Sequence, residues 1–255
     1  MLKNKTAIVT GGSSGIGAAI AKRLGASGAN VAVVASSDRN KAKLISDDII
    51  AKGGAAEPFV ADVRDRKSIA DLVQAVTEQW SPPTILVAAA GVFSPNAIGE
   101  KQGMEVFDQT IDTNLKSVYY CIDAVVPGMA AAGGGAIVAI SSVAAMVGVR
   151  QHSAYCASKA AISMMVRALA LELAPQNINI NAVAPGNTRT PMNEPMRTDP
   201  ALAGFLEALK ERTPSARIFS EPEDIAEMVH LMVSPAGRAM HGSTVLMDEG
   251  ISAGI

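Results

Sequence analysis

Seven short runs of continuous apolar, mostly β-branched residues recur along the chain: TAIVT (6–10), VAVVA (31–35), EPFVA (57–61), TILVAA (84–89), GAIVAI (135–140), NINAVA (179–184) and STVLM (243–247). Segments with helical periodicity separate most of them. Strands that are apolar without alternation are covered on both faces, which is how a parallel sheet wrapped by helices reads in sequence. The pattern therefore predicts an α/β fold, a doubly wound parallel sheet with helices on both faces and right-handed crossovers. A largely apolar helix is expected at SAYCASKAAISMMVRALALELAP (153–175), with Tyr155 and Lys159 one turn apart on it. Pro and Gly cluster in PGNTRTPMNEPMRTDP (185–200) without a shift in composition beyond, so this stretch reads as a loop within a single domain, 1–255. With its helices that ligand-side segment spans about residues 186–215.

Composition narrows the partners. The 255 residues are 49% hydrophobic, enough for one well-filled core, and the net charge of -2 without a basic run argues against nucleic acid. No apolar stretch of about 18 residues is free of Gly, Pro and charge, and the start MLKNKTAIVTGG is too short in apolar residues for a signal core. The reading is cytoplasmic, with no membrane partner. Cys121 and Cys156 lack metal-ligand spacing and three scattered histidines add no zinc site, so no metal is expected.

The first strand runs directly into TGGSSGIGAAIAKRLGASG. Gly11, Gly15 and Gly17 stand where a strand turns into a helix. There the missing Cβ permits a tight turn, lets the backbone approach a pyrophosphate and packs helix on strand. Ser13, Ser14 and Ile16 complete the turn, and the helix N-terminus that follows favours an anion. The spacing is GxxxGxG, not the commoner GxGxxG.

Thr10, Gly11, Gly15 and Gly17 in TGxxxGxG, Tyr155 and Lys159 in YxxxK, and Ser142 thirteen residues before the tyrosine resemble the short-chain dehydrogenase/reductase family. The resemblance covers nearly the whole chain, including ADV at 61–63, Asn114 in DTNLKSVY and PGNTRT at 185–190. It implies a nicotinamide-dependent oxidoreductase with a single Rossmann-type domain, usually a homotetramer. Beyond the glycine loop, the implied cofactor contacts are Asp62 and Val63 near the adenine, Ala89, Ala90 and Gly91 along the ribose, Pro185, Gly186, Thr188 and Thr190, and Tyr155 and Lys159 themselves. One position departs from the family. Where relatives carry NNAG after the fourth strand, this chain reads AAAG at 88–91, without the polar side chain that would tie down neighbouring strands.

Hydride transfer to a ketone leaves an alkoxide that needs a proton. Tyr155 would supply it as general acid, or accept it in reverse. A free tyrosine titrates near 10, so work near neutrality needs a shift of roughly 3 units, which a Lys159 charge one turn away favours. By resemblance the lysine also holds the ribose hydroxyls, Ser142 would hydrogen-bond the substrate oxygen, and Asn114 would hold a water linking the lysine to solvent. An apolar lining is expected from Phe93, Val143, Ala144, Met146, His152, Gly186, Met192 and Met196, suited to a hydrophobic ketone or secondary alcohol. Arg189 is either a solvated loop charge or an anion clamp.

For the cofactor, an NAD site would place a carboxylate at the end of the second strand, where this chain has Ala35 and Ser36. Ser36, Ser37 and Arg39 favour the 2′-phosphate of NADP(H). Asp38 opposes it, and Ser14 replaces the basic residue of many NADP-preferring relatives, so NAD(H) stays possible. Two other readings compete: a catalytically weak nucleotide-binding regulator or scaffold on the same fold, and a sugar-nucleotide epimerase. The epimerase would need a longer C-terminal part than the roughly 65 residues after PGNTRT.

Overall fold

The computed structural model describes residues 2–253. Strands β1 (Thr6–Thr10), β2 (Asn30–Ala35), β3 (Ala55–Val60), β4 (Ile85–Ala88), β5 (Gly135–Ile140), β6 (Ile178–Pro185) and β7 (Thr244–Met247) form one sheet in the order 3-2-1-4-5-6-7. Every pairing is parallel. Each apolar run read from the sequence is a strand, with ends that move by at most two residues.

The reason the runs do not alternate is visible in the packing. Ile8, Ala32, Val34, Leu86 and Ile137 point to one side, into a core shared with α3 (Arg66–Gln79), α5 (Ser117–Ala131) and α6 (Ser153–Leu173). Ala7, Val9, Val31, Val33, Ile85 and Val87 point to the other, against α1 (Gly15–Ala26), α2 (Arg39–Ala51) and α9 (Pro222–Val233). Both faces are thus dry, and each fully buried Ile or Leu contributes about 1.5–3 kcal/mol. The helices on these faces do not all start alike. Asp38 and Asp65 accept from the second N–H of α2 and α3, at 3.0 and 2.9 Å, while Ser14 at the head of α1 makes no such bond.

The helix α6 is long and apolar enough in composition to cross a membrane. Here it lies along β6, with Ile162 and Val166 in the core and Met164 and Leu171 exposed. After β6 the chain rises into α7 (Glu194–Thr198) and α8 (Ala203–Arg212), neither of which has a buried residue. The remaining helix, α4 (Gly103–Ile111), runs into α5 through a π-helical turn, Asp112–Lys116. The order in which strands are added reverses between β1, which leads to β2 on one side, and β4, which leads to β5 on the other. Such a switch point opens a crevice at the strand C-termini.

Candidate active site

That crevice is a cavity of about 1090 Å³ lined by Gly11, Ser14, Gly15, Ile16 and Gly17 from the glycine turn and by Ser142, Tyr155 and Lys159. Gly11 has φ +66°, and a Cβ there would sit 3.0 Å from the Ala89 carbonyl oxygen and the Ala90 backbone. At Gly17 a Cβ would come within 2.2 Å of the Gly11 carbonyl oxygen, so only glycine lets α1 start this close to β1. Because Ser14 leaves the first N–H groups of α1 unbonded by a side chain, the turn keeps its donors for an anion.

Ser142 follows β5 in extended conformation, and its Oγ accepts from the Ala144 N–H at 3.1 Å. Lys159 is 5% exposed, its Nζ donating to the Ile140 carbonyl at 2.8 Å and lying 5.6 Å from the centre of the Tyr155 ring. Burial pushes its ammonium down to about 8. The phenol of Tyr155 stands edge-on to Phe93, ring centres 4.8 Å apart, and burial moves its pKa up, with the neighbouring Ser142 hydroxyl working the other way. A downward shift from Lys159 was the sequence expectation. The shift runs the other way, set by desolvation of the phenol, with no contribution from Lys159.

Asn114 sits in the π-helical turn and is fully buried. Its Oδ1 accepts from the Val92 N–H at 2.8 Å, and its Nδ2 donates to the Val92 carbonyl at 2.9 Å and towards Ser158 Oγ at 3.4 Å. Ser158 in turn donates to the Tyr155 carbonyl at 2.7 Å. The side chain whose expected task was to hold a water is occupied in fixing the loop after β4 to α6. The AAAG departure is compensated from the neighbouring strand. The Ala89 and Ala90 N–H groups both point to Oγ1 of buried Thr10, at 3.2 and 3.3 Å, so the tie comes from β1.

The residues expected at the cofactor divide into two groups. Gly11, Ser14, Gly15, Ile16, Gly17, Ala89, Ala90, Gly91, Pro185, Gly186, Thr188 and Thr190 line the cavity with Ser142, Tyr155 and Lys159. Ser13, Ser36, Ser37, Arg39, Asp62 and Val63 lie outside its wall. Ser36, Ser37 and Arg39 are exposed past the end of β2, and Asp38 spends one carboxylate oxygen on capping α2. Asp62 is paired with Arg64 at 2.7 Å, and that guanidinium holds its carboxyl below the ordinary range. Val63 is part of the core, so only its backbone faces out.

At the other end, Phe93, Val143, Ala144, Met146, Gly186, Met192 and Met196 line the cavity as expected. His152 does not. Its ring stacks on Phe93 at 4.0 Å and bonds the Arg150 carbonyl at 2.8 Å. Arg189 is paired with Glu221 at 3.0 Å and lies over the Phe219 ring, away from the cavity wall, so the clamp reading falls. Several lining residues escaped the sequence reading, among them Arg150, Phe205, Leu209, Arg212 and Ile251. Phe205, Leu209 and Arg212 stand at helical spacing on α8, a signal that could have found them.

A family model described as enoyl-(acyl carrier protein) reductase matches residues 11–252. The chain is 34% identical over 251 residues to the 3-oxoacyl-acyl-carrier-protein reductase FabG of Staphylococcus aureus, covering 98% of this chain and 99% of that protein. It is similar to a solved short-chain type dehydrogenase/reductase from Mycobacterium marinum, at a TM-score of 0.91 and 31% identity over 98% of this chain and 96% of that one. An actinorhodin polyketide ketoreductase solved with NADPH matches at a TM-score of 0.90 and 32% identity, over 97% of each chain.

Proposed function

The chain belongs to the short-chain dehydrogenase/reductase family, a nicotinamide-dependent oxidoreductase by that membership, and on this premise we propose how its own residues act. The substrate is a ketone with a largely apolar body, reduced to a secondary alcohol. The uncapped α1 turn and Lys159 would hold a nicotinamide cofactor, which would supply the hydride. The observation that carries the reading is the convergence of Ser142, Tyr155 and Lys159 on the same cavity as the glycine turn. Ser142 donates to the substrate oxygen as negative charge develops on it. Tyr155, kept neutral by burial, gives that oxygen its proton. Lys159, whose ammonium titrates near neutrality, reprotonates the phenolate and holds the ribose hydroxyls. Asn114 keeps the loop after β4 in place, and the second lone pair of its Oδ1 is what a relay water would use.

NADP(H) is the preferred cofactor. Ser36, Ser37 and Arg39 are exposed where a 2′-phosphate would fall, Arg39 has no ion-pair partner among the described residues, and Asp38 is engaged as a cap. The protein works as a homotetramer in the cytoplasm. Exposed Met104, Phe107, Tyr119, Met164 and Leu171 on α4, α5 and α6 support an assembly, and two cysteines without a disulfide suit a reducing compartment. Consumption of NADPH and NADH against a panel of apolar ketones tests the reaction. Cofactor binding without turnover of any ketone would instead favour a regulator.

A further inference from the structure

The cavity wall is unbalanced in charge. Arg150, Lys159 and Arg212 line it, and no aspartate or glutamate does, although the chain has 24 acidic residues against 22 Lys and Arg. Lys159 is engaged with the Ile140 carbonyl at the reacting centre. Arg150 and Arg212 are exposed, and neither has a carboxylate partner among the described residues. Nearby arginines differ: Arg189 pairs with Glu221, and Arg217 with Glu249 at 2.6 Å.

The two free guanidinium groups come from two of the segments that also supply the apolar substrate wall. Arg150 ends the loop that carries Met146, and Arg212 ends α8, which carries Phe205 and Leu209. The backbone at Arg150 is firmly held. Its carbonyl meets the His152 ring at 2.8 Å, and the next carbonyl, of Gln151, accepts from Asn96 N–H at 2.6 Å. Buried Asn96 also donates to Ser153 Oγ at 3.0 Å and accepts from Ala154 N–H at 3.3 Å. Arginines beside an apolar wall with no competing carboxylate attract anions more strongly than the same groups in open water.

We propose that Arg150 and Arg212 form an anion site at the substrate end of the cavity, which makes the substrate an amphipathic ketone with a carboxylate or phosphate at its far end. The inference rests on the reductase reading above and deepens it. The apolar body fills the part of the cavity lined by Phe93, Met146, Met192 and Phe205, and the anion takes the bidentate guanidinium contacts that these arginines do not spend on the protein.

The test uses the full chain with NADPH and three versions of one medium-chain ketone, ending in a carboxylate, a phosphate monoester or a neutral methyl ester. The wild type should show kcat/KM for at least one anionic ketone about tenfold above the ester, and this ratio should fall as salt rises. Arg150→Gln and Arg212→Gln should each cut the ratio by about fivefold, the order for an exposed charge-assisted bond, and the double variant should remove it. A larger preference for phosphate or for carboxylate identifies the anion. Equal rates for all three ketones, or a preference that survives in the double variant, would overturn the proposal. Calorimetric titration of the matching alcohols into the NADP-loaded protein separates this from the reaction itself. Anion-selective binding that both variants lose, without turnover, would sink the reductase reading and leave the anion site standing.

Discussion

Asn114 holds Val92 by both ends of its backbone, accepting from the N–H at 2.8 Å and donating to the carbonyl at 2.9 Å. A buried amide on one helix thereby fixes the loop that leads from Gly91 to Phe93, at the centre of the site. Asn114→Ala strands two part-buried backbone groups at about 1–3 kcal/mol each. Denaturant unfolding should show a loss of about 2–4 kcal/mol, with kcat falling alongside. Asn114→Asp keeps the acceptor but sets a buried carboxylate against the Val92 carbonyl, so near pH 7 it should lose at least as much stability as Asn114→Ala. A fully stable Asn114→Ala protein would show that the loop is held by other contacts.

Thr10→Val should reveal the tie that replaces the family's missing asparagine. The hydroxyl serves the Ala89 and Ala90 N–H groups together, and valine has the same shape without the acceptor. A loss of about 1–2 kcal/mol in the urea-derived unfolding free energy is expected, while Thr10→Ser should retain most of the stability. A loss in Thr10→Ser with none in Thr10→Val would assign the effect to the methyl group and not the oxygen.

Lys159→Met should stabilise the fold while removing activity. Burial lowers the ammonium from 10.5 to about 8, so between these values the unfolded chain binds more protons than the native one and stability rises with pH. Below about pH 8 both states carry the proton, and the native state bears the whole cost of a buried charge, roughly 3 kcal/mol at about 1.4 kcal/mol per unit. The lost bond to the Ile140 carbonyl offsets part of the gain. Urea midpoints should therefore be higher for the variant near pH 7, with the gap narrowing above about pH 8. A gap that stays constant across that range contradicts the buried charge.

The sheet was legible because each strand is apolar on both faces, and both faces are packed by helices; the meeting of Ser142, Tyr155 and Lys159 at one cavity was legible because they stand at a fixed spacing. What escaped depends on three-dimensional neighbours. The π-helical turn that aims Asn114 inward has no composition of its own, and the Thr10 tie joins residues 79 and 80 positions apart. Arg189 stayed open between a solvated charge and a clamp because its partner Glu221 lies 32 residues on, and Arg212 was overlooked because an arginine in the last turn of a helix ordinarily complements the dipole. The upward shift at Tyr155 comes from burial, which spacing along the chain does not report.

Arg39→Ala should erode the preference for NADPH by about 1–3 kcal/mol, the range for a hydrogen bond to a charged group, with NADH hardly affected. Ala35→Asp should move the preference the other way, since a carboxylate at the end of β2 accepts the ribose hydroxyls of NAD and repels a 2′-phosphate. Ala35 is buried, so the variant's melting curve is needed beside its kinetics. Wild-type kcat/KM with NADH equal to or above that with NADPH would overturn the cofactor preference and leave the reaction class in place.

The proton donor is the centre of the account, and Tyr155→Phe tests it most directly. Phenylalanine keeps the ring that meets Phe93 edge-on and removes only the hydroxyl, so NADPH binding measured by fluorescence titration should stay within about threefold of wild type. Steady-state ketone reduction measured on the same preparation should fall by about 10²- to 10⁴-fold in kcat, the range for general acid catalysis. A variant that binds NADPH normally and keeps more than about a tenth of the wild-type kcat, with hydride transfer rate-limiting, would contradict the assignment of Tyr155 as the acid.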